Sequence, residues 1–148
     1  MKIVLASDHG GFELKEKIKN ILTQEGKEFV DVGCDNTDSC DYPQFAHAAC
    51  SQIKDGDLGI FICGSGNGIA MAANSHKHIR AAVCWDAELA SLARAHNNAN
   101  VMTLPGRFIS EQEALDCVCM FVETDFEGGR HSKRVRKIKF VPGLPISS

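Results

Sequence analysis

No apolar stretch of this chain approaches the roughly 20 residues that a helix needs to cross a bilayer. The opening MKIVLASDHGG is a short apolar run that stops at a charged, glycine-rich stretch. It is too short for a secretory leader and has no small-residue cleavage site, so the sequence predicts a cytosolic protein without a membrane role. No C-x-x-C pair occurs among the seven cysteines, which stand at Cys34, Cys40, Cys50, Cys63, Cys84, Cys117 and Cys119. Structural zinc usually relies on such pairs, and disulfide frameworks belong to secreted chains, so neither is expected. Several of these thiols should behave as small buried apolar groups.

Nucleotide-binding signatures are missing as well. The glycines of the strongest loop fall at 64, 66 and 68, which is not G-x-G-x-x-G. The first βα turn, where that fingerprint belongs, reads Asp8-His9-Gly10-Gly11. A Walker A loop needs Gly-Lys-Ser/Thr, whereas this loop continues into Ile69-Ala70-Met71. A phosphatase-like cysteine loop would want an arginine, and none lies between Cys63 and Asn74.

What is present is ordinary in bulk and patterned in detail. The 148 residues are 44% hydrophobic and 24% charged, which suits one soluble domain with its own core. Apolar runs at Ile3–Ala6, Phe29–Val32, Leu58–Cys63, Arg80–Cys84 and Asn100–Leu104 read as five short strands. Helical periods separate them over Phe12–Glu25, Pro43 to about Lys54, Ile69–Asn74 and Asp86–His96. A fifth, Ser110–Thr124, opens with a Ser110/Glu113 capping box. Strict alternation predicts a parallel sheet covered by helices on both faces. Residues 1–140 form one domain ending in a basic helix from about Arg130, and 141–148 form an extended tail with two prolines.

Charge is unevenly spread. Net charge is −3, yet all 19 acids lie before Arg130, and the segment from Arg130 to Phe140 holds six basic residues and no acid. That segment is either a solvated helix or an anion-docking element. A nucleic-acid role would predict interleaved aromatics or a wider basic surface, and the rest of the chain is acidic.

In parallel α/β sheets, ligands sit at the carboxyl ends of the strands, so the segments after each strand carry the candidates. Cys63-Gly64-Ser65-Gly66-Asn67-Gly68 is the sharpest. Its glycines permit close backbone approach, its amides lead into a helix N-terminus, and the combination suits an anion while favouring thiolate at Cys63. The plainer alternative is a tight turn with Cys63 as core filler. Asp8 and His9 can pass protons near neutral pH, or Asp8 can simply cap the next helix. His96 and Asn97 end the fourth helix, where the helix dipole alone favours histidine. Arg130 and Arg134 share a helix face and can grip a phosphate, with Arg107 as a third arm.

Together these segments resemble the ribose-5-phosphate isomerase B family and its related sugar-phosphate isomerases. The matching pieces are SDHGGFELK, CDYPQFA at 40–46, ICGSGNGIAMAAN at 62–74, IRAAVC at 79–84, ARAHNNANV at 93–101 and EGGRHSKRV at 127–135, in the family's order. The resemblance implies a Rossmann-like three-layer α/β/α sandwich with a five-stranded parallel sheet. It also implies a homodimer or homotetramer and no metal or organic cofactor. The activity implied is interconversion of D-ribose 5-phosphate and D-ribulose 5-phosphate in the non-oxidative pentose phosphate pathway. Related readings are a hexose-6-phosphate isomerase acting on allose or galactose 6-phosphate, and a non-catalytic phosphosugar-binding module.

By the same resemblance, Cys63 is the base of a cis-enediolate mechanism. The amides of Gly64, Ser65, Gly66, Asn67 and Gly68, helped by the Ser65 hydroxyl, hold the oxyanion. His96 opens the sugar ring. Asp8, His9 and Asn97 touch hydroxyls or the phosphate end, Tyr42 lies beside the substrate, and Arg107, Arg130 and Arg134 form the phosphate clamp. The pocket lies between subunits, so some arginines act in trans. Two departures stand out: Ser65 replaces the Thr usual in the bacterial type, and the IAMAA at 69–73 lacks the Glu that another branch uses as base. Every candidate is expected at a strand C-terminus or on the basic helix.

Overall fold

A computed structural model describes residues 1–143 of the chain. Twelve elements follow in order: β1 (Ile3–Ser7), a 3₁₀ turn (His9–Gly11), α1 (Phe12–Gln24), β2 (Phe29–Gly33), α2 (Tyr42–Cys50), β3 (Leu58–Cys63), α3 (Asn67–Asn74), β4 (Ala81–Val83), α4 (Ala87–Ala95), β5 (Val101–Pro105), α5 (Glu111–Glu123) and α6 (Arg130–Arg136). The five strands form one parallel sheet in the order β2-β1-β3-β5-β4.

The period of two along each strand decides which helices cover which face. Ile3, Leu5, Ile60, Ile62, Met102 and Leu104 point to one face and pack against α1, α4 and α5. Val4, Ala6, Phe61, Cys63 and Val101 point to the other, against α2 and α3. β3 lies at the sheet's centre and is buried along its whole length, as its unbroken apolar run requires. Right-handed crossovers produce this split: connections running toward β2 and those running toward β4 must pass over opposite faces. The result is the expected three-layer α/β/α sandwich.

Helix ends follow local chemistry. Asp86 caps α4 by accepting from the Leu89 amide at 2.9 Å. Ser110 and Glu113 form the reciprocal box predicted for α5. α2 stops at Cys50, four residues short of the predicted end. Its last carbonyls are taken by the amides of Ser51 and Gln52, which turn the chain toward Ile53 in the core. Of the predicted tail, residues 144–148 lie outside the described residues, and Val141, Pro142 and Gly143 are exposed.

Candidate active site

Chain direction in the sheet reverses between β1 and β3. α1 carries the chain outward to β2, and α3 carries it the other way, toward β4. That leaves a crevice above the carboxyl ends of β1 and β3, the general ligand position of such sheets. Asp8 and the Cys63 loop flank it, and the Asp8 amide donates to the Ile62 carbonyl at 3.1 Å.

The loop is held open by its glycines. Gly66 has φ +78°, and a Cβ there would stand 3.2 Å from the backbone of Leu104 and Pro105. Only glycine fits without moving the end of β5. Its carbonyl is fixed by the Thr103 hydroxyl at 2.9 Å. The Ser65 hydroxyl accepts from the Asn67 amide at 3.2 Å, at the start of α3. Gly68 lies directly against the Tyr42 phenol, with no room for a side chain. Arg107 passes over Gly64: its Cδ is 3.4 Å from where a Cβ would be, and its amide donates to the Gly64 carbonyl at 3.0 Å. Cys63 is 4% exposed and closes the floor. Asp8 caps the 3₁₀ turn by accepting from the Gly11 amide at 3.0 Å. His9 Nδ1 accepts from the Cys40 amide at 3.3 Å, so a neutral His9 carries its proton on Nε2, free to donate.

Asp8, His9, Tyr42, Gly64, Ser65, Gly66, Asn67, Gly68 and Arg107 therefore converge with Cys63 at one end of the sheet. His96, Asn97, Arg130 and Arg134 do not. His96 is the C-cap of α4, which runs back from the carboxyl end of β4 to the start of β5. It sits at the amino edge of the sheet. This corrects the expectation that every candidate lies at a strand C-terminus or on the basic helix. Five or six strand residues at about 3.3 Å each put roughly 16–20 Å of sheet between the two groups.

The amino-edge group has its own order. α6 docks there through the Glu127 amide on the Ala95 carbonyl at 3.0 Å and the Lys139 ammonium on the Asn74 carbonyl at 3.0 Å. His131 stacks on His96 with ring centroids 4.2 Å apart and planes 13° from parallel. Glu127 Oε1 lies 3.6 Å from His131 Nε2 and 3.9 Å from His96 Nε2. Desolvation and the neighbouring His96, Arg130 and Arg134 hold the His131 imidazole below its usual range, against Glu127. Arg130 and Arg134, one turn apart on α6, are exposed. Among the described residues, His96, Glu127 and His131 are the one set of three whose ligand atoms fall within 4.8 Å of one another. Cysteine spacing alone could not have indicated it; the Glu127/His131 spacing of four could.

Residues 3–138 match the model of the ribose/galactose isomerase family. The chain belongs to that family. Similarity extends over nearly the whole length. A probable ribose-5-phosphate isomerase B of Mycoplasma pneumoniae is 45% identical, over 92% of this chain and 91% of that protein. The crystal structure of a ribose 5-phosphate isomerase from Thermotoga maritima superposes with a TM-score of 0.89 at 48% identity, covering 92% of this chain and 95% of the other. Ribose-5-phosphate isomerase B of Mycoplasma genitalium, crystallised with bound ribulose 5-phosphate, gives 0.90 at 43% identity, with 93% of each chain covered.

One support in this isomerase-family chain escaped the sequence reading. Lys15 is fully buried, and its ammonium donates to Asp31 at 2.6 Å and to the Cys34 carbonyl at 2.5 Å. Burial raises the Asp31 carboxyl, but Lys15 and Lys19 outweigh it and hold the group below its ordinary value. The pair fixes the β2 end beside Ser7 and Asp8, where the Cys34 amide bonds the Ser7 carbonyl. Its signal was available: Lys15 stands three residues before Ile18 on the buried stripe of α1.

Proposed function

We propose that this chain interconverts ribose 5-phosphate and ribulose 5-phosphate in the cytosol through a cis-enediolate, without a metal or organic cofactor, as one domain over residues 1–140. The observation that carries the reading is the Cys63–Gly68 loop: a thiol at the crevice floor, amides at the head of α3, and Arg107 beside them. An aldose–ketose isomerase must take a weakly acidic proton next to a carbonyl, hold the oxyanion, and anchor the phosphate. Cys63 takes the C2 proton and returns it at C1. The amides of Gly64 to Gly68 and the Ser65 hydroxyl hold the oxyanion. Asp8, His9 and Tyr42 orient hydroxyls, and Arg107 meets the phosphate.

Ring opening needs His96, which this chain holds at the opposite sheet edge. A second copy must therefore supply His96, Asn97, Arg130 and Arg134 to the Cys63 loop. Two-fold symmetry makes both sites at once, since each copy offers one carboxyl-edge and one amino-edge half. The test is turnover with EDTA present, with ribose 5-phosphate and allose 6-phosphate offered separately. Ketose formed from ribose 5-phosphate, lost in Cys63→Ala with folding intact, supports the reading. Turnover of the hexose phosphate alone replaces the substrate, and a fully active Cys63→Ala variant removes the mechanism.

A further inference from the structure

A cavity of about 610 Å³ opens at the amino edge of the sheet, beneath the starts of β3, β4 and β5. It is lined by Lys54, Asp55, Asp57, Arg80, Arg94 and Asn100, among others, and none of these has a role in the proposed reaction. Its size suits a small metabolite. Its chemistry suits an anion. Arg80 and Arg94 are both half-buried, and neither is in an ion pair among the described residues.

Their hydrogen bonds all go to neutral oxygens. Arg80 Nε donates to the Asn98 carbonyl at 2.7 Å. Arg94 Nε donates to the Thr124 carbonyl at 3.2 Å, and its Nη1 to Asn98 Oδ1 at 3.1 Å and the Ala99 carbonyl at 2.6 Å. Those bonds leave both Nη groups of Arg80 and Nη2 of Arg94 available. Two guanidinium groups taken partly out of water with no carboxylate in contact are costly, and both feel it as a downward pull from desolvation.

The carboxylates nearby do not cancel them. Asp57 is consumed by the Lys2 ammonium at 2.8 Å and by the amides of Lys2 and Lys54, each at 3.0 Å. Asp55 attracts Arg80 and Asp125 attracts Arg94, but both acids are exposed and neither reaches its arginine as an ion pair. Lys54 adds a third cation at the rim. Planar guanidinium forks with free donors are the side chains best fitted to phosphate oxygens.

We propose that this cavity is a second anion site, distinct from the Cys63 loop, which takes a phosphate monoester of a small metabolite through Arg80 and Arg94. The proposal does not rest on the isomerase reading.

Titration of the full-length, isotope-labelled protein with inorganic phosphate, followed by amide NMR, tests it. Saturable shifts are expected at Gly56, Asn98 and Asn100, with a binding curve of their own. Arg107→Ala should leave that curve within about twofold, because the cavity's lining shares no residue with the Cys63 loop or with the four residues proposed to reach it from a second copy. Arg80→Gln should weaken it about tenfold or more, the loss expected for one charge-assisted contact. Two exposed-rim changes do not depend on Arg80's packing: Asp55→Asn should tighten binding about threefold, and Lys54→Glu should weaken it by a similar factor. Shifts confined to Gly64–Gly68 would overturn the proposal. So would a response at Asn98 and Asn100 that ignores both rim changes. A further arm with glycerol 3-phosphate asks whether the esterified anion binds at least as tightly as the free one; exclusion of the ester would also overturn it.

Discussion

Mixing two dead variants tests the geometry most directly. Cys63→Ala removes the proposed base from the carboxyl-edge half, and His96→Ala removes the proposed ring-opening group from the amino-edge half. Each pure variant should lose about 10²–10⁴-fold in turnover, the usual worth of one general acid or base. If the two halves come from different copies, mixed pairs contain one site with both lesions and one with neither. Equal amounts, exchanged freely, give about half mixed pairs, so roughly a quarter of wild-type activity returns. That is at least about 25-fold above the best background from either variant alone.

Within one copy the same mixture behaves differently. Every site then carries one lesion whatever its neighbour, and nothing returns. The assay is ketose formation from ribose 5-phosphate before and after joint refolding, with mixed pairs counted by native mass spectrometry. Mixed pairs without recovered activity would refute the two-edge argument, and with it the roughly 16–20 Å separation from which it starts.

Other expectations follow from single contacts. Gly66→Ala places a Cβ 3.2 Å from the Leu104–Pro105 backbone at φ +78°; a loss of about 1–2 kcal/mol or more is expected in urea unfolding, and an unchanged midpoint would contradict it. Lys15→Met strips the buried partner from Asp31 and the Cys34 carbonyl, costing about 3 kcal/mol, and adding Asp31→Asn should recover part of it. Burial raises the Asp57 carboxyl, but bonds from Lys2 and Lys54 win and hold it at about 2 against an ordinary 3.8. Its contribution is therefore complete above about pH 4 and fades as pH falls toward 2. About 1–2 kcal/mol of acid-dependent stability should be missing in Asp57→Asn, visible as a flatter stability curve over that window. Burial pushes the Cys50, Cys84 and Cys117 thiols up to about 12. Iodoacetamide at pH 8 should leave these three unlabelled in the folded protein while labelling Cys63, with phosphosugar protecting Cys63. Faster labelling at any of the three, read by peptide mass spectrometry, would count against their burial.

Much of the fold was legible because burial repeats with a fixed period. β3 needed no partner to be recognised: six consecutive buried residues fit only a central parallel strand or a buried helix, and the loop glycines at 64, 66 and 68 cut the run to strand length. The α5 cap was equally local, because Ser110 and Glu113 complete each other. Strand order was not local. β5 lies between β3 and β4, and the apolar pattern of a three-residue strand such as Ala81–Val83 does not specify its neighbour. Nor were the carbonyl partners of Arg80 and Arg94, which come from Asn98, itself at φ +47°, from Ala99 and from the distant Thr124. The candidate site residues could be named from the sequence, but their placement could not. In a parallel sheet, a residue after a strand lies at the carboxyl edge and a residue after a crossover helix lies at the amino edge. His96 follows α4 and His9 follows β1, so they belong to opposite edges however well their chemistries match. A list of motifs in chain order conceals that alternation. Here it makes two halves look like one site: in the proposed reaction, a base and an anion loop with no ring-opening acid, and a histidine and two arginines with nothing to deprotonate. The incompleteness of each half is the physical reason to expect the chain to work as a pair.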